Sequence, residues 1–146
     1  TIITQNVDDL HERAGSSNVL HLHGELLKVR STAINTAVLE WKKDLIIGDK
    51  CKDGHQLRPH IVWFGEEVPE MNTAIKIVQK AKILIIVGTS MQVYPAASLL
   101  QFASPSVKFF FIDPKPAVNS TEKIKIYAEK ATTGVAKAIE FIKNIK

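Results

Sequence analysis

The sequence predicts an α/β fold, and three observations favour this class. Short apolar runs rich in β-branched residues alternate with amphipathic helical segments. The segments that join them are short, which is typical of right-handed strand–helix–strand units in a parallel sheet. Small or polar residues follow several of the strands, where ligands bind in such sheets. We therefore predict a partial Rossmann-like parallel sheet with helices on both faces, together with a small β-rich insertion.

The first 60 residues are expected to contain part of the parallel sheet and the small β-rich insertion. A strand, a loop, a short helical turn and a second strand are predicted, in that order, at Thr1–Thr4, Gln5–Asp9, Leu10–Ala14 and Val19–Leu22. Residues 25–43 are predicted to form two strands around a polar turn at Asn35 and Thr36, and residues 44–60 have the composition of a loop. We assign residues 25–60 to a small subdomain, and residues 1–24 and 61–146 to the sheet domain.

The rest of the chain alternates between strand and helix. Strands are predicted at Ile61–Phe64, Ile83–Val87, Val107–Ile112 and Ile124–Ala128. Helices are predicted after Pro69, from Pro95 to Ala103, and after a cap at Thr132 or Thr133. The run Ile83–Val87 is apolar throughout, which is typical of a parallel strand covered on both faces.

Composition argues against several classes of protein. The formal net charge is +4, but the lysines are spread along the chain, whereas a nucleic-acid-binding domain usually has a basic stripe. The single cysteine, Cys51, can form neither an internal disulfide nor a zinc ribbon. No apolar run approaches the roughly 20 residues of a membrane span, and no signal peptide is evident. We therefore expect a cytoplasmic protein. Because the chain opens without Met, inside what reads as a buried strand, we also expect it to be part of a longer one.

Three polar loops are predicted at the carboxyl edge of the sheet: Gln5–Asp9, Gly88–Ser90 and Asp113–Lys115. The amides and carboxylates of the first loop could bind ribose hydroxyls and a carboxamide, or they could simply form a turn. The second loop suits a phosphate or a ribose ahead of a helix N-terminus, or is a plain tight turn. Asp113 could bind a ribose hydroxyl, or it could belong to the turn before Pro114.

Two other segments have candidate functions. His21 and His23 lie on opposite faces if their run is extended, so a metal pair is improbable, and one of them could be a general base or an ordinary core or surface histidine. The segment Ile61–Glu66 is an apolar strand that stops at Gly65. It could pair with an extended peptide along its edge, or it could be a core strand.

Taken together, four blocks resemble the sirtuins, which are NAD-dependent protein-lysine deacylases. The blocks are TQNVDDLHERAG, HLHGELLKVR, RPHIVWFGE and GTSMQVYPAA, in this order, and HGELLKVR and RPHIVWFGE are most similar to the bacterial class III type. The resemblance is strong from Thr1 to about Pro95 and looser to Lys146. It implies that the acyl group of a protein lysine is transferred to the ADP-ribose of NAD and that nicotinamide is released.

The resemblance also implies roles for individual residues. His23 would be the general base on a ribose hydroxyl, and Asn6 would position the ribose and a water. The Val7 backbone and Asp8 would hold the nicotinamide carboxamide, so that His23, Asn6 and Asp8 form the catalytic set, while Gln5 would contact ribose hydroxyls. The other residues expected to contact NAD are Gly88, Thr89, Ser90, Ile112, Asp113 near the adenosine ribose and Ala131 near the adenine. The acyl-lysine peptide would add as a strand along Val62, Trp63, Phe64, Gly65 and Glu66.

The sequence departs from the family's pattern in two places. Many sirtuins hold a structural zinc with four cysteines, but Ser31 stands where a first cysteine would be and Cys51 is alone, so we expect no metal. The family's glycine-rich cofactor loop and the tyrosine and arginine that select acidic acyl groups precede the TQN block and are not in this sequence. The acyl preference therefore cannot be read, and we expect this chain alone to be inactive.

The resemblance leaves two rival functions open. One is a sirtuin-like protein ADP-ribosyltransferase, against which the VWFGE segment argues, and the other is a non-catalytic binding fragment. For the complete protein we expect acylated lysines as the substrate, a monomer, and neither a membrane nor a specific nucleic acid as a partner.

Overall fold

The computed structural model describes residues 1–33, 37–89, 96–116 and 119–145. Contacts within it divide the chain into two compact units, Thr1–Ala74 and Ile75–Lys146. The predicted turn at Asn35 and Thr36, and Ser90 of the second polar loop, lie outside the described residues. The assignment of residues 25–60 to a separate subdomain stays a prediction.

The first unit begins with a pair of parallel strands. Strand β1 (Ile2–Thr4) pairs with β2 (Val19–His21) in the register Ile3 to Leu20, and helix α1 (Leu10–Arg13) lies between them in sequence. β-Branched residues favour β1, and Gly15, with a φ of 91°, follows the helix in a conformation that other residues rarely adopt. The predicted strand, helical turn and strand are therefore confirmed.

A three-stranded antiparallel sheet follows, in the order β4-β3-β5, and confirms the β-rich character of this region. It contains β3 (Gly24–Ser31), β4 (Leu39–Glu40) and β5 (Leu57–Ile61). The predicted loop over residues 44–60 is wrong at its end, where β5 forms. Pro59 favoured a loop, but β5 is an edge strand of this sheet, and proline is tolerated where its missing N–H faces away from the ladder.

The strand predicted at Ile61–Phe64 is also wrong, because β5 ends at Ile61. Trp63 to Glu66 form a turn instead, closed by a hydrogen bond from the Glu66 N–H to the Trp63 carbonyl and containing Gly65 at a φ of 88°. The apolar run suggested burial, but the Trp63 side chain is 55% exposed and Phe64 is fully exposed. These two residues therefore belong to the surface and not to a core strand.

The second unit is built on a parallel sheet, and the boundary between the units falls within helix α2 (Met71–Lys80). Strands β6 (Ile83–Val87), β7 (Lys108–Ile112) and β8 (Ile124–Tyr127) pair in the order β6-β7-β8. A 3-10 helix (Ala96–Phe102) connects β6 to β7, and α3 (Ala131–Lys143) follows β8. Parallel strands joined through helices confirm the predicted α/β class.

The core of this unit lies between β7 and α3. Phe110, Ile112 and Ala138 are almost completely buried, and side chains from β8 and α3 pack around them. A Cβ atom on Gly134 would lie 2.5 Å from the Ile112 Cγ2 atom, so this glycine allows the helix to approach the sheet. These residues pack α3 against β7 and β8.

Two details of the second unit differ from expectation. Helix α3 begins at Ala131 after Lys130, so neither Thr132 nor Thr133 is its cap; the Thr133 hydroxyl instead donates to the Lys130 carbonyl, inside the first turn. Among the strands that the structure describes, β6 pairs only with β7, and its alternate residues Ile83, Ile85 and Val87 are 36–40% exposed. The expectation that both faces of this strand are covered is therefore wrong for these side chains. Among the described residues, no helix is long and apolar enough to cross a membrane.

Candidate active site

The loop that leaves β1 is held by hydrogen bonds at several points. The Asn6 N–H donates to the Thr4 hydroxyl at 3.1 Å, and the Val7 carbonyl accepts from the Leu26 N–H at 2.7 Å. The Thr4 carbonyl accepts from Leu22, which continues the pairing of β1 with β2. Asn6 is exposed, whereas Gln5, Val7 and Asp8 are half-buried. The loop therefore has a fixed backbone and an Asn6 side chain that a ligand can reach.

His23 is fixed against the same loop. Its Nδ1 atom lies 3.2 Å from the Gln5 carbonyl oxygen, and its own carbonyl accepts from the Val62 N–H at 2.9 Å. A carbonyl can only accept, so Nδ1 carries the proton in this contact. In the neutral ring Nε2 then has the lone pair, and no described residue hydrogen-bonds to it. This tautomer is the one that a general base requires.

The Asp8 carboxylate is oriented by the start of α1. Its Oδ1 atom accepts a hydrogen bond from the Leu10 N–H at 3.1 Å, one of the N–H groups that a short helix leaves without an internal partner. One carboxylate oxygen is thereby engaged, and the other remains able to accept from a ligand amide. Asp8 thus has the structural role of a turn former, which the sequence left open, and keeps capacity for a binding role.

The second histidine of this region, His21, is neither a surface residue nor an ordinary core residue. Its side chain is only 7% exposed, and its two ring nitrogens contact the Asn6 carbonyl and the Glu12 carboxylate. The pairing of His21 with Glu12 was not predicted from the sequence. One clue to this pairing was present in the sequence. Glu12 lies in the predicted helical turn, nine residues before His21 in the next predicted strand.

The turn formed by Trp63 to Glu66 is anchored by a charged cluster, here called the Glu66 clamp: Glu66, Arg58 and Arg30. Both carboxylate oxygens of Glu66 accept from Arg58, at 2.6 and 3.1 Å, and Arg30 donates to Oε2 at 3.2 Å. The same Oε2 accepts from the Trp63 N–H at 3.0 Å. The hydrogen bonds from Arg58, then that from Trp63, lower the pKa of Glu66 to about 2. The carboxylate is therefore ionised at any physiological pH.

The clamp leaves the tip of the turn open. Both arginines also donate to the Ile61 carbonyl, at 3.2 and 3.3 Å, so the end of β5 and the turn are joined. No described residue provides a hydrogen-bond partner for the backbone of Phe64 or Gly65. An extended peptide could use these backbone groups even though the segment is a turn and not the strand that the sequence suggested.

The candidate residues of the second unit follow its parallel strands. Gly88 comes directly after β6 and its N–H donates to the Ile112 carbonyl. Its φ is 60°, and no atom lies within 4 Å of the position that a Cβ would occupy. The Asp113 Oδ1 atom accepts from the Lys115 N–H at 2.7 Å, so the turn predicted as an alternative role is present. Ile112 is 1% exposed, so its side chain cannot contact a ligand from solvent. Ala131 is exposed at the first turn of α3, and Thr89 is half-buried.

The residues at the expected zinc position do not suit a metal. Ser31 is 5% exposed, and its hydroxyl oxygen lies 3.5 Å from the Cys51 sulfur. A structural zinc requires four thiolate or imidazole ligands, and one thiol beside one hydroxyl does not supply them. In the described part of the chain, no group of three or more histidine, cysteine or acidic residues could hold a metal ion.

Comparisons with known proteins identify the family. The profile of the Sir2 family matches residues 1–95. An NAD-dependent protein deacylase of Helicobacter pylori is 62% identical over 114 residues, which are 78% of this chain and 50% of the relative. One from Bacteroides thetaiotaomicron is 50% identical over 142 residues, covering 92% and 61%. The chain thus spans about half to three fifths of the length of these relatives.

Solved structures agree with this match. The complex of a Sir2 homologue with NAD is 38% identical, with a TM-score of 0.80, and the match covers 97% of this chain and 57% of that one. A Sir2 complex with a p53 peptide and NAD+ is 26% identical, with a TM-score of 0.77, covering 98% and 63%. The fold and the sequence therefore point to the same family.

Proposed function

Because the chain belongs to the Sir2 family, we propose that this protein acts as an NAD-dependent protein-lysine deacylase. The observation that carries the proposal is the His23 ring, which is held by the Gln5 carbonyl in the tautomer of a general base. The family match, the relatives named as NAD-dependent protein deacylases and the NAD complexes of similar structures support it.

Residues of this chain fit the cofactor. Exposed Asn6 offers an amide in the loop whose Gln5 carbonyl contacts His23, Asp8 retains a carboxylate oxygen for a carboxamide, and Gly88 allows close approach of a phosphate or ribose. Gln5, Val7, Thr89, Ser90, Asp113, Ala131 and the Ile112 backbone complete the proposed contacts. When bound, NAD supplies an anomeric carbon that accepts the acyl oxygen as nicotinamide leaves. His23 would take a proton from a ribose hydroxyl through Nε2, while Asn6 would orient the ribose and a water.

The peptide is proposed to bind along Val62 to Glu66. Nothing in the described part of the chain hydrogen-bonds to the backbone of Phe64 or Gly65, so these groups can pair with an extended chain, and Trp63 and Phe64 add exposed apolar surface in the same turn. In the sirtuins that the sequence resembles, the VWFGE block serves an extended acyl-lysine peptide, and acyl-lysine is the substrate of a deacylase but not of an ADP-ribosyltransferase. This feature favours the deacylase over that second candidate.

A release assay tests the proposed function. The whole protein is incubated with NAD and an acetyl-lysine peptide, and free nicotinamide is measured. We expect release that depends on the acyl group, with none above background for the same peptide carrying unmodified lysine. Equal release with both peptides, or none with either, would contradict the proposal.

Glu66 provides a prediction about the peptide site. Replacing Glu66 with alanine removes the acceptor that joins Arg30, Arg58 and the Trp63 N–H, so the turn should lose its fixed shape. We expect the KM for the peptide to rise about tenfold, since charge-assisted and bidentate hydrogen bonds are the strong ones, while the KM for NAD changes little. Steady-state kinetics with each substrate varied in turn measures both constants.

The neighbouring residue offers a matched control. Glu67 is exposed, and Glu67→Ala should leave both constants unchanged. The Glu66 effect should also be constant across neutral pH, because the pKa of Glu66 is lowered to about 2. Because the pKa of Glu66 is lower in the folded protein than the unfolded value of 4.5, its contacts stabilise the fold fully above pH 4.5. This stabilisation is lost as pH falls toward 2. An unchanged peptide KM in Glu66→Ala would show that the Glu66 clamp does not shape the peptide site.

A second prediction concerns metal content. Since Cys51 and Ser31 do not form a zinc site, elemental analysis of the purified protein should find well below one zinc per chain. Treatment with a chelator should leave the melting temperature unchanged. A stoichiometric zinc whose removal lowers the melting temperature would show that histidines such as His55 and His60 take part in a site.

The proposal extends to the finer properties expected from the sequence. These are removal of succinyl as well as acetyl groups, a cytoplasmic location, and a monomer that binds no specific nucleic acid. The resemblance to bacterial class III members supports the first of these, and composition supports the others.

A further inference from the structure

His21 lies at the end of β2, between the loop that leaves β1 and helix α1. Its side chain is 7% exposed, whereas the Glu12 side chain next to it is 41% exposed. The Nδ1 atom is 3.0 Å from the Asn6 carbonyl oxygen, and Nε2 is 2.9 Å from the Glu12 Oε1 atom. The ring thus joins a loop backbone to a helix side chain.

Both contacts require a proton on the ring. A carbonyl oxygen accepts only, and so does an ionised carboxylate, so each ring nitrogen must donate. A neutral imidazole has one N–H and can satisfy only one of these contacts. Only the doubly protonated imidazolium makes both contacts at once, and in that state His21 and Glu12 form an ion pair.

The charges around the ring favour this state. Burial alone would lower the pKa of His21, but the hydrogen bond to Glu12, the contact with the Asn6 carbonyl and the negative charges of Glu12 and Glu25 outweigh it and raise the pKa. The hydrogen bond to His21 in turn lowers the pKa of Glu12, to which His11 adds a smaller contribution. The charged groups that act on the ring are thus Glu12 of α1 and Glu25 of β3.

His21 lies at the end of β2 and His23 lies just beyond it. Their rings contact the carbonyls of two consecutive residues in the candidate cofactor loop. His23 contacts the Gln5 carbonyl, and His21 contacts the Asn6 carbonyl. The peptide planes of both residues are fixed in this way, which limits the positions that the Asn6 side chain can reach. Displacing a substrate-positioning group by even 1 Å has large effects on rate.

We propose that the His21–Glu12 ion pair is a proton-dependent positioning device, which holds the Asn6 carbonyl so that the loop binds the nicotinamide ribose. The inference rests on the proposed function, since it names the regulation of that site. When His21 loses a proton, either the Asn6 contact or the Glu12 contact is lost and the loop loosens. Because the pKa of His21 is raised in the folded protein, its contacts stabilise the fold fully below the unfolded pKa of about 6.5. This stabilisation is lost as pH rises through the raised pKa. The affinity for NAD should likewise be highest at low pH and fall as pH rises through the His21 pKa.

The experiment measures NAD binding by calorimetry and the KM for NAD across a pH series, with the whole protein. We expect affinity to weaken about tenfold as pH rises through the His21 pKa, which corresponds to the loss of one hydrogen bond to a charged group, while kcat changes less. Glu12→Gln keeps an acceptor oxygen but removes the charge, so the midpoint should move to lower pH. Glu40→Gln, on the exposed strand β4, should leave the midpoint unchanged.

Nitrogen NMR of the His21 ring separates this inference from the proposed function. The expected signal is a ring with two N–H protons that titrates above the ordinary histidine pKa of about 6.5, and at lower pH in Glu12→Gln. That signal is independent of any reaction, so its presence without deacylation would contradict the proposed function alone. A His21 ring that titrates below the ordinary histidine pKa of about 6.5, or identical pH profiles of NAD affinity in the natural protein and Glu12→Gln, would overturn the positioning role.

Discussion

Replacing His23 with alanine should slow deacylation about 10²–10⁴-fold, which is the usual effect of removing a positioned general base. The ring is fixed through Nδ1 by the Gln5 carbonyl, and alanine offers no group that could take a proton in place of Nε2. The fold should persist, because the backbone hydrogen bond from the Val62 N–H to the His23 carbonyl does not depend on the side chain. Nicotinamide release from an acyl-lysine peptide measures the rate, and thermal unfolding measures the fold.

His21 supplies the comparison for that result. His21→Ala removes a ring that touches the Asn6 carbonyl and Glu12, so it should weaken NAD binding and have a much smaller effect on kcat. If His23→Ala turned over at near the natural rate with the fold intact, His23 would not be the base. Equal losses of kcat in the two variants would mean that neither histidine has the separate role assigned to it.

Replacing Gly24 with alanine should prevent the first unit from folding stably. Gly24 has a φ of 84°, and a Cβ atom there would lie 1.9 Å from the His60 carbonyl oxygen and 2.8 Å from its carbonyl carbon. These are backbone atoms of β5, which pairs with β3 at Gly24 and Ile61, so no side-chain rotation can relieve the overlap. We expect a loss of more than about 4 kcal/mol in the free energy of unfolding, at the extreme of single substitutions.

Gly54 provides a matched control for this substitution. It has a φ of 81°, but nothing lies within 4 Å of the position that a Cβ would occupy. Gly54→Ala therefore carries only the strain of the left-handed backbone, about 1–2 kcal/mol. Chemical denaturation of both variants measures the difference. Similar destabilisation of the two would show that Gly24 matters only for its φ and not for the close approach of β3 to β5.

Local patterns predicted much of the fold. Continuous apolar runs indicated β6 and β7, helical spacing indicated α2, and β-branched residues indicated β1. Errors arose where tertiary structure outweighed local composition. Pro59 suggested a loop but lies in an edge strand, and the apolar segment Ile61–Phe64 suggested a strand but ends in an exposed turn. Neither edge position nor exposure can be read from alternation alone.

Some features of the candidate site could likewise be predicted from the sequence, and others could not. Polar residues after β1 and a histidine after β2 were predictable, because parallel strands bring their carboxyl ends to one edge. The Glu66 clamp was not predictable, since Arg30 lies 36 residues before Glu66 and no periodicity links them. Likewise, the sequence suggested opposite faces for His21 and His23 but not that both would contact the loop after β1. Such pairs are determined by how the strands and loops pack.

The fate of the acyl group tests the central claim most directly. Mass spectrometry of a reaction containing the whole protein, NAD and an acetyl-lysine peptide should find unmodified lysine, nicotinamide and an acetyl ester of ADP-ribose in equal amounts. Production of all three should be lost in His23→Ala. ADP-ribose attached to the peptide or to the protein, with the acetyl group still on the lysine, would contradict the account and establish an ADP-ribosyltransferase instead.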